Sequence, residues 1–234
     1  MSNTTDTVFI ERMFEAGAHF GLSRSRRHPT AKNFVFGAKN GIEIIDLEKT
    51  KAQLEEAKEV IRTLSRTGKK VLFVGTKNEG RGAVIDTASS IEMPYVVNRW
   101  LGGTLSNFSQ IKKRIAHMED LVEKRGSGML DKYTKKERLL IDREIERLEK
   151  HFAGLAVMKE LPAALFVIDA KKEHIAVAEA RGMKIPVMSL SSSDCDFGKI
   201  EYPIPANDAS ASSIAFFLSE IAAAWKEGKT VTKS

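Results

Sequence analysis

Residues 69–76 read "KKVLFVGT" and residues 163–170 read "AALFVIDA". Each holds a short continuous apolar run rather than an alternation of apolar and polar side chains. A strand buried on one face alternates; a strand covered on both faces does not. The two runs therefore predict central strands of a parallel sheet with helices above and below. Working outward, "PYVV" (94–97) and "IPVMSL" (185–190) read as further strands. "YPIP" (202–205) reads as an edge strand, because proline cannot donate to a ladder. Helical spacing fills the intervals at 49–67, 80–91, 173–182 and 208–226. Strands alternating with helices make βαβ units, so the expected class is α/β.

Ahead of these units, residues 8–16 carry Phe9, Met13 and Ala16 at helical spacing, with Gly17 as a stop. "HFGLSRSRRHPTAKN" follows and reads as a loop from its Gly, Ser and Pro content. "FVFGAKNGIEIID" then places two β-type runs around Asn40-Gly41, the strongest short hairpin signal.

The block 104–157 does not fit the alternation. Phe108, Ile111, Ile115, Met118 and Val122 step by three and four, as do Ile141, Ile145, Leu148, Phe152 and Leu155. Gly126-Ser127-Gly128 separates the two series, and Thr134 with Glu137 has the form of a capping box that starts the second helix. The block is expected to be an antiparallel coiled-coil hairpin that projects from the body. The resulting plan is an α/β body at 1–104 and 158–228, a hairpin at 105–157 and a tail at 229–234.

Thirty-seven basic residues face 31 acidic ones, a net charge of +6, and the distribution is uneven. No acid lies between Ala16 and Ile42, a window holding Arg24, Arg26, Arg27, His28, Lys32 and Lys39. None lies between Met93 and Met118, where Arg99, Lys112, Lys113 and Arg114 stand. Segregation of this kind suits a polyanion, since each neutralised phosphate releases counterions. The single cysteine excludes an internal disulfide and fits a reducing cytosol. No apolar run approaches the ~20 residues of a membrane span, and the N-terminus has no leader pattern, so no membrane role is expected.

Enzyme signatures fail. Gly75 to Gly82 has the spacing of a P-loop after a strand, but Arg81 stands where its lysine belongs and Gly82 offers no hydroxyl. There is no nucleophile elbow and no Cys/His metal spacing, and Cys195 lies between Asp194 and Asp196, which suppress a thiolate. Asp194, Asp196 and Asp208 are candidates for a cation at strand ends, although exposed loop acids are commoner. No cofactor and no catalytic residue is expected. "NRWLGGTLSNF" (98–108) joins a strand to the hairpin; its glycines permit close backbone approach, and Trp100 is open to two readings, packing at the hairpin base or stacking on a base.

Several motifs in order resemble one family. They are "AGAHFG" (16–21), "FVFGAKNGIEIIDLEKT" (34–50), "VLFVGTK" (71–77), "NRWLGGTLSNF" (98–108), "LPAALFVIDAKKEHIAVAEARGMKIPV" (161–187) and "IEYPIPAND" (200–208). They are similar to bacterial small ribosomal subunit protein two, the ribosomal protein S-two family. The resemblance implies a flavodoxin-like sheet with a projecting hairpin and a structural, non-enzymatic role in the small ribosomal subunit of the cytoplasm. It implies binding to small-subunit ribosomal RNA through Arg24, Arg26, Arg27, His28 and Lys32, and through Arg99, Trp100, Lys112, Lys113 and Arg114. The implied protein partners are neighbouring small-subunit proteins and, in many bacteria, the large mRNA-catching ribosomal protein one, near the mRNA exit side. The chain departs from the family pattern at Leu22, Arg27, Phe197 and Ala206.

Overall fold

A computed structural model describes residues 2–231. The chain opens with helix α1 (Ser2–Glu15) and strand β1 (Phe20–Ser23), then 3-10 turns over Arg24–Arg26 and Pro29–Phe34. Strands β2 (Val35–Lys39) and β3 (Ile42–Ile45) follow, then α2 (Leu47–Arg66), β4 (Val71–Val74), α3 (Asn78–Ser90) and β5 (Tyr95–Val96). Helices α4 (Phe108–Gly126) and α5 (Lys135–Phe152) precede β6 (Ala164–Ile168), α6 (His174–Gly182), β7 (Val187–Ser191), β8 (Tyr202–Pro205) and α7 (Ala211–Val231).

The main sheet runs β5-β4-β6-β7-β8, every pair parallel. β8, with Pro203 and Pro205, is an edge, as its prolines require. Strands β4, β6 and β7 are buried at every residue, so the unbroken apolar runs mark two covered faces. Alternate side chains feed two cores. Phe73, Phe166, Ile168 and Leu190 join Leu54, Ile61, Ile214 and Phe217 of α2 and α7 on one face. Leu72, Val74, Leu165 and Val167 join Ile111, Ile115, Leu148 and Val177 of α4, α5 and α6 on the other. Truncating a side chain such as fully buried Phe166 to alanine costs about 3–5 kcal/mol.

The Asn40-Gly41 hairpin forms as expected, both residues with positive φ (52° and 80°), the turn whose twist matches its strands. The segment after Gly17 differs from the expected loop. Its first part is β1, which pairs antiparallel with β3 through Phe20 and Ser23 and completes a small sheet of order β1-β3-β2. Gly21 allows this approach, since a Cβ there would stand 3.1 Å from the Glu43 carbonyl oxygen.

Helices α4 and α5 pack on each other, joined through a turn that leaves α4 at Ser127, with Gly128 left-handed at φ 74°. The capping box at Thr134 is present in both directions, with Thr134 accepting from the Glu137 N–H and Glu137 from the Thr134 N–H. At 18 residues, α5 is about 27 Å long. Gly154, just past α5, touches β5 so closely that a Cβ would overlap the Tyr95 carbonyl oxygen. Helix α7 continues to Val231, so the tail expected at 229–234 begins as helix; residues 232–234 lie outside those described.

Candidate nucleic-acid interface

The turn 98–108 follows β5 at the carboxyl edge of the main sheet. Its glycines bring several N–H groups round to one point, the arrangement that commonly holds a phosphate. Here the point is occupied from within. The Glu179 carboxylate of α6 accepts from Gly103 N (2.6 Å), Leu105 N (3.0 Å), Ser106 N (3.5 Å) and the Trp100 indole N–H (3.4 Å). Gly103 is left-handed at φ 93°, which aims the donors inward. The turn is therefore a structural clamp. Trp100 is 6% exposed and sits in the core shared by α4, α5 and α6. Of its two readings, packing at the hairpin base and stacking on a base, the burial of the ring fits the first.

Arg99 is exposed, beside Asn98, whose amide donates to the Lys150 carbonyl (2.6 Å) near the end of α5. That bond ties the turn to the hairpin base. On α4, Lys112, Lys113 and Arg114 are exposed and, among the described residues, make no ion pair; Lys112 lies over the Phe108 ring at 5.6 Å. They lie in the second turn of α4, and no acid stands in its first turn.

The basic loop is divided in the same way. Arg24, Arg26 and Lys32 are exposed and unpaired among the described residues. Arg27 is not free: its guanidinium bonds the Glu43 carboxylate (3.0 Å), which is 1% exposed. The acid-free window ends one residue before Glu43, and the β1–β3 pairing folds Glu43 back onto it. Arg27, one of the expected RNA contacts, thus neutralises a buried charge. His28 is half-buried; its Nδ1 lies 2.8 Å from the Thr30 hydroxyl and 3.8 Å from Asp196. The loop is pinned to the main sheet by the His28 N–H donating to the Ser193 carbonyl (2.9 Å).

The place where a P-loop would sit is closed. Lys77 is held between Asp169 (2.7 Å) and Asp208 (3.0 Å). The Thr76 hydroxyl and N–H both bond Glu173, and Gly75 packs against Val84 and Ile168. Carboxylates here would repel a phosphate. Burial, reinforced by nearby Asp169, pushes Asp208 up to about 6 against the pull of Lys77. The three candidate cation ligands go to three separate lysines: Asp194 to Lys171 (2.8 Å), Asp196 to Lys199 (3.0 Å) and Asp208 to Lys77. Cys195 is 2% exposed, and burial ahead of its acidic neighbours pushes the thiol up to about 11.

Two basic segments far apart in sequence thus reach one edge of the sheet. The turn with Arg99 follows β5, and the N-terminal loop docks on Ser193 after β7. Lys171, after β6, stands at the same edge, where its bond to Asp194 raises its pKa. Ligands of open α/β sheets gather at this carboxyl edge. Sequence reasoning missed Glu179, Glu173 and the pairing of Lys77, all of which depend on partners distant in the chain. Among the described residues no helix is long and apolar enough to cross a membrane.

A family model described as "Ribosomal protein S2" matches residues 13–228. The chain is 44% identical over 224 residues to a protein of Sulfurimonas denitrificans named "Small ribosomal subunit protein uS2", covering 96% of this chain and 86% of the relative. Proteins of the same name from Helicobacter acinonychis and Chlorobaculum tepidum are each 42% identical over 222 residues, covering 95% of this chain and 90% and 89% of theirs. With motifs, sheet order and similarity agreeing over nearly its whole length, the chain belongs to the ribosomal protein S2 family, a structural and non-enzymatic one.

Proposed function

We propose that the chain is a structural component of the small ribosomal subunit that grips folded small-subunit ribosomal RNA along the carboxyl edge of its main sheet. The observation that carries this is that exposed Arg24, Arg26 and Lys32, without ion pairs among the described residues, lie on or next to the loop pinned at Ser193 after β7, while exposed Arg99 stands on the turn after β5. Exposed positive charge without an internal counterion is stabilised by phosphate. Lys112, Lys113 and Arg114 extend the surface onto the hairpin base. The α/β body serves as a stiff support, and the hairpin gives reach toward RNA or a neighbouring small-subunit protein.

The family resemblance adds docking of the large mRNA-catching ribosomal protein one near the mRNA exit side. The small sheet supports a protein contact of this kind, because Phe20, Phe36 and Ile42 are exposed, Phe36 at 81%. Sedimentation tests the proposal. In lysate fractionated on sucrose at low Mg²⁺, the protein should co-migrate with the small subunit and leave it only in strong salt. A protein confined to the top of the gradient would refute the assignment.

A further inference from the structure

A cavity of about 470 Å³ opens beside the basic loop, with His28 and Lys171 in its lining. One wall is a single face of α6: His174, Val177, Ala178 and Arg181, spaced three and four apart. The opposite wall is the segment Asp194–Ile200, and His28 of the basic loop closes one end. The floor is apolar: Ala170, Val177, Cys195 and Ile200 are all buried. The rim carries cations and planar groups. Arg181 is exposed with no ion pair among the described residues, and His174 is exposed beside it on the helix.

The two acids in the lining decide what class of ligand fits. Asp194 and Asp196 are already neutralised by Lys171 and Lys199. A phosphate placed between the walls would meet both carboxylates and an apolar floor. A neutral, flat group with its own N–H donors meets neither obstacle. Apolar pockets of roughly 300–1,000 Å³ with a few polar groups accommodate small aromatic ligands. Unstacked bases are held in proteins by His and Arg planes with carboxylates reading their amines.

We infer that this cavity receives one unstacked base of the bound ribosomal RNA, one bearing an exocyclic amine, while its flanking phosphates lie on Arg181, His174 and the nearby basic loop. This deepens the RNA-binding proposal and rests on it. The pocket adds a contact that reads a base, whereas the cations around it are indifferent to sequence.

The test compares three variants of the full chain, each binding purified small-subunit ribosomal RNA over a salt series and each checked for an unchanged melting temperature. Ala178→Phe fills the cavity from an exposed helical position and alters no charge. It should weaken binding about tenfold, the effect of losing one stacked base, and leave the slope of log K against log salt unchanged. Dimethyl sulfate should show one adenine or cytosine protected by the wild type and reactive with this variant, other protections staying. The double change His174→Ala with Arg181→Ala should weaken binding and make the slope shallower by about 1; it also serves if Ala178→Phe folds poorly. Arg24→Ala with Arg26→Ala is the reference. If the reference weakens binding while the cavity variants match the wild type in affinity and footprint, the base pocket is overturned and the RNA proposal stands. If the reference variant also binds like the wild type, the RNA proposal itself fails.

Discussion

Glu179 is the residue whose loss should be most informative. It is one carboxylate serving four donors of the turn 100–106, two of them at short range, Gly103 N at 2.6 Å and Leu105 N at 3.0 Å. Hydrogen bonds to a charged partner contribute about 1.5–3 kcal/mol each. The carboxylate is half-buried, so water replaces part of what Glu179→Ala removes. A net loss of about 2–4 kcal/mol follows from these terms. For a domain of this size each kcal/mol moves the melting temperature about 2–4 °C, so the expected drop is about 5–15 °C. Glu179→Gln should fall between, since one amide oxygen can accept while the amide nitrogen opposes the remaining N–H groups. Circular dichroism melting reads the stability, and affinity for small-subunit ribosomal RNA should weaken in the same variants as the turn holding Arg99 loses its shape. A Glu179→Ala protein that melts within a degree or two of the wild type would refute the reasoning, because water would then fill the turn equally well.

Arg27→Ala should destabilise the fold by about 3–5 kcal/mol by stranding the buried Glu43 carboxylate, and Glu43→Gln should restore much of it; urea unfolding of the single and double variants checks this, and a harmless Arg27→Ala would return that residue to the RNA surface. Arg24→Ala with Arg26→Ala should leave stability unchanged but make the salt slope of ribosomal RNA binding shallower by about 2, and an unchanged slope would remove the loop from the interface. Asp208 lies near 6 in the fold, above its ordinary 3.8, so its contribution to stability is full below about pH 4 and is lost as pH rises through 6. Asp208→Asn should therefore flatten the stability profile over that interval, on the order of 1–3 kcal/mol, and parallel wild-type and variant profiles would show that Lys77 compensates the charge completely.

The main sheet was legible because its evidence is local. Unbroken runs at 71–74 and 164–168 can be satisfied only by two covered faces, and the Asn40-Gly41 turn and Thr134–Glu137 box act within a few residues. Strand β1 was not legible, since "FGLS" is short, holds a glycine and becomes a strand only by pairing with β3. Pairing of charges is hidden for the same reason. Lys77 and Arg27 look free along the chain, but their counterions arrive from Asp169, Asp208 and Glu43 once the sheets assemble. Trp100 could not be assigned from its neighbours because Glu179, far along the chain, decides where it points.

The insertion of two helices between β5 and β6 also shapes how the chain comes off the machinery that makes it. β4 pairs with β6, Val71 opposite Ala164, and no nearer strand can take that central place. At about 5–20 residues per second the intervening chain needs roughly 5–20 s to be synthesised. Through that interval the apolar β4 waits with one neighbour missing, prey to aggregation. The helical pair is made of local contacts, which form in microseconds to milliseconds once the residues exist. Ile111, Ile115 and Leu148 belong to the same core as Val74. The hairpin base is thus a cover that the nascent chain supplies to itself, and a slowed or broken hairpin would be felt first as lost yield of newly made protein.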